Sequence, residues 1–354
     1  MPPWAAKAVS MIESIDRIGR DVLAGRPLQA ETIVHLAELA EGDPYELFHW
    51  AGRVRRQNFA DTVRFCSIVA GRLGACAEDC KWCAQSLAWM PKEGRQAGGR
   101  GLDRPRTAPL EEILSAARSA AACGSACIGI VNSGRRPSAP DLAAVINAAR
   151  QIARDDSPQI GVCASLGELT AEEARQLAQG GVRRYHHNLE TSRRFFPSMV
   201  TTHSYDDRLA TLQAAKAAGM SICCGGIFGL GETWADRAEL AVTLRDQVRP
   251  DVVPLNFLHA IPGTPLEERE PLRPLEILTI IAAFRLALPT TDLKVAGGRQ
   301  VNLRELQSWM FYAGATSCMV GNYLTTAGRD VQIDRQLVQD LGLTLVQEFP
   351  RPAQ

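Results

Sequence analysis

From residue 62 onward the chain alternates short β-rich runs with longer amphipathic ones, and this order limits the available folds more than any other feature. The strand-like runs are Thr62–Ala70, Ala126–Val131, Gln159–Ser165, Val182–Leu189, Met220–Ile227, Asp251–Leu258, Asp292–Ala296 and Thr316–Val320. Helical patterns lie between them at Leu110–Ala122, Pro140–Arg154, Ala171–Gln179, Asp206–Ala218, Trp234–Gln247 and Leu275–Leu288. Parallel neighbours need a crossover, usually a helix, so eight runs in βα order predict an α/β fold, a closed (β/α)8 barrel of the TIM type with N-terminal helices. An open doubly wound sheet is the alternative, but no Gly-x-Gly-x-x-Gly follows the first run. Residues 1–61 read as a helical extension that includes Gln29–Ala40 and Tyr45–Asn58. Residues 62–345 read as the barrel and 346–354 as a tail. The connection Pro91–Thr107, rich in Gly, Arg and Pro, reads as a surface excursion.

Composition removes several classes. Of 354 residues, 46% are hydrophobic and 22% charged, which supports a large core rather than disorder. Lys+Arg and Asp+Glu both number 39, so the basic surplus of a general nucleic-acid binder is missing. The longest apolar stretch, near Ile277 to Phe284, is too short to span a membrane and is closed by Arg285. Met1 to Ser10 runs into Glu13 and Asp16 without the apolar segment of a signal peptide, so the expected location is the cytoplasm. Ten cysteines in that compartment point to metal or redox chemistry rather than disulfides.

Strand alternation sorts those cysteines. In a barrel strand one face meets the helices and the other points inward. Ile128 and Ile130 oppose Cys127, Ile160 and Val162 oppose Cys163, and Met220 and Ile222 oppose Cys223. Branched residues suit the helix side, so Cys127, Cys163 and Cys223 are expected to point inward from strands two, three and five. Cys224 has the opposite parity. A plainer reading for any one of them is a small buried hydrophobe. For Cys123 and Cys318 that reading stands.

The sharpest local signal is Cys76-Ala-Glu-Asp-Cys80-Lys-Trp-Cys83, a C-x3-C-x2-C run just after strand one. Three thiolates so spaced can hold three irons of a [4Fe–4S] cluster and leave the fourth iron open. Zinc is the other reading, but structural zinc prefers four closed ligands and no second C-x2-C follows. Further segments accompany this run. They are Tyr185-His-His-Asn-Leu-Glu-Thr-Ser192, Gly225-Gly-Ile-Phe-Gly-Leu-Gly-Glu-Thr233, Val253-Pro-Leu-Asn256, Gly263-Thr-Pro-Leu266 and Tyr323-Leu-Thr-Thr326.

In collinear order over about residues 45–345, these segments resemble the radical S-adenosylmethionine enzymes and, within them, the biotin synthases. The resemblance implies that Cys76, Cys80 and Cys83 hold a [4Fe–4S] cluster whose open iron binds S-adenosylmethionine. Cleavage of that cofactor yields a 5′-deoxyadenosyl radical, which takes hydrogen from dethiobiotin. Sulfur then comes from an auxiliary cluster, [2Fe–2S] or a variant, on Cys127, Cys163 and Cys223. The resemblance further places Trp82, Asn188, Glu190, Gly225, Gly226 and Glu232 around S-adenosylmethionine, and Asn188 and Asn256 near dethiobiotin. It gives no catalytic residue beyond the cluster ligands, and His186 and His187 are assigned no role. It also implies a flavodoxin- or ferredoxin-type electron donor and a homodimer. Another radical enzyme of the same barrel class, sulfur-inserting or a mutase, is the alternative; a zinc-stabilised binding protein is the alternative from another class.

Two departures from the family pattern stand out. Glu190 replaces the usual Asp, and Lys294 stands where most members carry an Arg that ligates the auxiliary cluster. Barrel interiors fill in layers drawn from alternate strands, so Cys163, Cys223 and Lys294 should share a layer with a residue of strand one. Phe65 and Val69 share the parity of Val63 and face the helices, which turns Cys66 inward. Cys66 is therefore the expected extra ligand, with Lys294 balancing charge; plain core packing is the other reading for Cys66.

Overall fold

In the computed structural model, residues 3–41, 43–89, 104–155 and 160–349 are described. Eight parallel strands close a barrel. They are β1 (Thr62–Leu73), β2 (Ser125–Asn132), β3 (Gly161–Ser165), β4 (Arg184–His186), β5 (Ser221–Cys223), β6 (Val252–Phe257), β7 (Asp292–Val295) and β8 (Ser317–Met319). Each pairs with the next, and β8 returns to β1 with Arg64 opposite Ser317. Gly226–Phe228 carries the fifth position on, pairing with Leu255, Asn256 and Phe257 of β6. All eight expected strands are present, shorter at their ends than the sequence runs except β1, which is longer, and β2. Gln159 and residues 91–103 of the expected excursion lie outside the described residues. Arg106–Thr107 pairs antiparallel with the end of β1.

Local chemistry fixes where the helices start. Ser138, Thr170, Ser204 and Thr233 each form a capping box with the carboxylate three residues on, Asp141, Glu173, Asp207 and Asp236. Each box satisfies N–H groups that the first helical turn would otherwise leave bare.

Three helices precede the barrel: α1 (Pro3–Leu23), α2 (Ala30–Ala40) and α3 (Tyr45–Phe59). They share the barrel's apolar core, with Leu36, Leu47 and Phe48 fully buried. Helix Pro274–Ala287 is apolar all round because α2 and α3 cover the face that would otherwise meet solvent. Arg285, which closes the apolar run in the sequence, is fully buried there; it donates to the carbonyl oxygens of Gly314, Leu288, Pro289 and Thr291. Arg55 on α3 does the same for Ala315, Ala60 and Thr62. Among the described residues no helix is long and apolar enough to cross a membrane.

Candidate active site

The strand ends open onto three chambers that share walls. The outermost, about 300 Å³, is bounded by Trp82, Cys83, Asn188, Asn256 and Tyr323. Beside it a chamber of about 230 Å³ is lined by Cys76, Cys80, Cys83, Asn188, Glu190 and Arg208. Deeper inside, about 190 Å³ lies among Cys66, Cys163, Arg184, His186, Cys223 and Lys294. Asn188 lines both outer chambers, and Asn256 lines the first and the deepest.

The cysteine loop after β1 is held at both ends. Gly74 N–H donates to Gln85 Oε1 at 2.9 Å, Cys76 N–H to Gln85 O at 3.1 Å, and Cys83 N–H to Cys80 O at 3.0 Å. The segment after β4 pins its middle: Lys81 N–H donates to Met199 O at 3.1 Å, and Asp79 accepts from Thr201 N–H at 2.9 Å. Arg208 Nε–H donates to His203 Nε2 at 3.1 Å, so the imidazole proton sits on Nδ1 and is donated to Glu78. Burial pushes the Cys83 thiol up to about 11 and raises Cys80 further. Such thiols stay protonated until a bound cation removes their protons, as metal ligation does. Among the described residues no three His, Cys, Asp or Glu side chains converge on a single ion. The three thiols border one chamber instead, which suits a cluster and gives zinc no closed tetrahedron.

Glu190 has φ of +71°, a left-handed conformation uncommon for a side-chain-bearing residue. The turn aims its carboxylate into the chamber, where Oε2 is buried without a partner. Burial raises its pKa, opposed by Arg208, whose guanidinium lies 3.6 Å away. Arg208 also donates to Asn188 O at 2.7 Å. Asn188 Oδ1 accepts from Gly225 N–H at 3.1 Å, which fixes the amide at the wall the two outer chambers share. Asn256 is held likewise, donating to Gly226 O at 3.0 Å and accepting from Gly297 N–H at 2.8 Å.

Three of the residues expected around S-adenosylmethionine also shape the backbone here. Glu232 lines none of the three chambers: it accepts from Gly229 and Gly231 N–H at 3.0 Å and from Arg237 at 2.9 Å, and so shapes the turn. Gly225 lacks a side chain because a Cβ would lie 2.0 Å from Pro254 O, and Gly226 because one would lie 2.5 Å from Glu190 O. The close approach these glycines allow is between neighbouring segments of the sheet.

The inner thiols sit as parity expects. Cys66 pairs in register with Cys127, and Gly129 with Cys163; Cys127 Sγ lies 3.2 Å from Cys66 Sγ. Cys223 Sγ is 3.2 Å from His186 Nδ1, and burial first, then Lys294, pushes that imidazole down to about 3. Lys294 Nζ stands 3.5 Å from both Cys66 Sγ and Cys223 Sγ. Burial works to strip its proton, but Cys223, Cys66, Cys127 and Cys163 outweigh it and raise the pKa. Cys224 and Cys318 are fully buried in the main apolar core, and Cys123 caps helix Leu110–Ala122.

Sequence reasoning missed two arginines. Arg184 projects into the deepest chamber, donates to Ser221 Oγ at 3.0 Å, and keeps Nη2 buried and unpaired. The parity that selected Asn188 and Glu190 runs back through His186 to Arg184, so the signal was present. Arg208 lies on a helix whose pattern reads as solvated, and only the fold brings it to Glu190.

The sequence profile of the radical SAM superfamily matches residues 73–244, and that of the Biotin and Thiamin Synthesis associated domain matches 254–344. The chain is 44% identical over 337 residues to the biotin synthase of Trichlorobacter lovleyi, covering 95% of this chain and 98% of that one. It belongs to the biotin synthases. The biotin synthase of Heliobacterium modesticaldum is 45% identical over 325 residues, with 92% and 96% covered. The fold is shared with methylornithine synthase (TM-score 0.76, 18% identity, 95% and 97% covered). It is also shared with an [FeFe]-hydrogenase maturase of Carboxydothermus hydrogenoformans (TM-score 0.75, 16% identity, 94% and 79% covered). As a biotin synthase, the enzyme is a radical S-adenosylmethionine sulfurtransferase that converts dethiobiotin to biotin. It works with a [4Fe–4S] cluster, S-adenosylmethionine and an auxiliary iron–sulfur cluster.

Proposed function

We propose that the two thiol sets divide the reaction between them. Cys76, Cys80 and Cys83 hold the [4Fe–4S] cluster at the mouth. Cys127, Cys163 and Cys223, with Cys66 as the extra ligand, hold the auxiliary cluster. When bound, these groups supply the electron that splits S-adenosylmethionine and the sulfur placed into dethiobiotin. The observation that carries this reading is that Cys76, Cys80 and Cys83 border one chamber and Cys66, Cys163 and Cys223 another, with Cys127 3.2 Å behind Cys66 and Asn188 and Asn256 on the shared walls.

The residues fit these roles chemically. The free Glu190 Oε2 can accept from ribose hydroxyls, and Trp82 offers a flat face for the adenine. Asn188 and Asn256, their amides fixed by backbone bonds, orient the polar ureido end of dethiobiotin. Ile68, Val131 and Leu324 line the inner chamber and keep water from reactive carbon centres. Lys294 stays an ammonium with no lone pair to offer iron, so it balances the charge of four thiolates. A cluster on four cysteines, rather than three and an Arg, follows from this pairing of Cys66 with Lys294.

The reading extends to a flavodoxin- or ferredoxin-type donor, a homodimer and a cytoplasmic location. Anaerobic incubation with dethiobiotin, S-adenosylmethionine and a reductant tests the core of it. Biotin and 5′-deoxyadenosine should form together; 5′-deoxyadenosine without biotin in the fully loaded enzyme would overturn it.

A further inference from the structure

The chain beyond the last barrel helix turns back under the barrel. Thr344–Leu345 pairs in parallel with Thr62–Val63 at the start of β1, and Val346 N–H donates to Val63 O at 2.8 Å. Gln347 Nε2 donates to Ala121 O at 3.2 Å. Phe349, 9% exposed, then joins Cys66, Cys127 and Cys163 in a buried cluster separate from the main apolar core. Its ring fills a place that β3 leaves empty: a Cβ on Gly161 would lie 1.9 Å from Phe349 Cδ2. The buried Arg184 guanidinium lies 4.4 Å from the ring centroid and the exposed Arg183 guanidinium 4.9 Å, so the ring sits between an inner and an outer cation.

We propose that Phe349 is an openable seal on the N-terminal end of the barrel, and that its displacement is the route by which iron and sulfide enter and leave the inner thiol site. The proposal rests on the reading of those thiols as the auxiliary cluster site. From the mouth, the inner thiols lie beyond the chambers assigned to S-adenosylmethionine and dethiobiotin. From below, the Phe349 ring packs on Cys66, Cys127 and Cys163, with Arg184 against its face. The described part of this segment is tied to the barrel by few bonds, from Thr344 to Asp61, Val346 to Val63 and Gln347 to Ala121, and a segment so held opens more readily than a core strand. The ring can therefore swing away while β1, β2 and β3 keep the thiols in register.

A seal is a kinetic element: removing it speeds passage in both directions and leaves equilibrium occupancy unchanged. A side chain that only stabilised the site would, when removed, speed loss and impair loading. The test uses the anaerobically loaded enzyme, Phe349→Ala, Gly161→Ala and Phe349→Trp. The rate of inner-site iron release to a chelator is followed by visible absorption, then the rate of reloading from ferrous iron and sulfide. Formation of 5′-deoxyadenosine reports separately on the mouth site. Phe349→Ala should raise both rates about tenfold or more, with final iron content and 5′-deoxyadenosine formation unchanged. Gly161→Ala should do the same, since its Cβ expels the ring without touching the tail, and Phe349→Trp should stay slow. If Phe349→Ala fails to fold, Gly161→Ala carries the test. Unchanged rates in Gly161→Ala, or faster release with slower reloading, would overturn the seal while leaving the thiol assignment intact. A loaded enzyme that holds iron at the mouth site alone would overturn both.

Discussion

The mouth and the interior of this barrel each gather thiols, by different means. At the mouth Cys76, Cys80 and Cys83 ride one loop, tied by backbone bonds to Gln85 and Met199, and Cys80 and Cys83 are part-exposed. In the interior Cys66, Cys127, Cys163 and Cys223 come from four strands and are all buried. A loop can present an open coordination position to a cofactor that comes and goes. Strands in register give a fixed cage, and the cations inside it, Lys294 and Arg184, are nearly as buried as the thiols. Short spacing marks thiols gathered on one loop, and strand parity marks thiols gathered across the barrel wall.

Breaking the mouth should have the largest effect. Cys80→Ala is expected to abolish both 5′-deoxyadenosine and biotin, measured by mass spectrometry, because no product forms without cofactor cleavage. Normal 5′-deoxyadenosine formation in that variant would remove the mouth assignment. Next comes Cys66→Ala, which should lose the auxiliary cluster's absorption and biotin formation yet keep cofactor cleavage; unchanged iron and sulfide content would return Cys66 to core packing. Lys294→Ala should be milder, weakening inner iron retention about 10-fold, as outer-shell changes at metal sites do. Retention equal to the parent would show that Lys294 carries no charge-balancing role.

The smallest effect lies in the scaffold. Thr233→Ala removes one capping box and should cost about 1 kcal/mol in urea unfolding of the apoprotein, with the ratio of biotin to 5′-deoxyadenosine unchanged. Burial raises the pKa of its partner Asp236, but bonds from Ser192 and Thr233, with Arg194 alongside, outweigh that and hold the carboxyl below its ordinary value. The stability this gives is present above the ordinary carboxylate pKa and is lost as pH falls through the depressed one, so the Thr233→Ala difference should shrink in acid.

The order of strands and helices was legible because period and breaker residues are local signals. Cys127, Cys163 and Cys66 were legible too, since alternation along a strand survives any detail of packing. The partners of Glu232 were not legible: in the fold Arg237 and two backbone N–H groups hold its carboxylate, and these contacts form only when the turn folds back on the helix that follows. Arg208 and Phe349 were not legible as site residues. One reaches Asn188 and Glu190 only through the packing of its helix against β5, and the other its neighbours only through the return of the tail beneath β3, and neither contact leaves a periodic trace.

The central claim is that one barrel holds two separate iron–sulfur sites with separate tasks. Anaerobic turnover of Cys163→Ala with dethiobiotin and S-adenosylmethionine tests it most directly, with both products counted against the iron the protein contains. The account predicts 5′-deoxyadenosine in clear excess, no biotin, and iron remaining only at the mouth. Biotin formed at the parent's level, or both products lost with the mouth iron still in place, would contradict it.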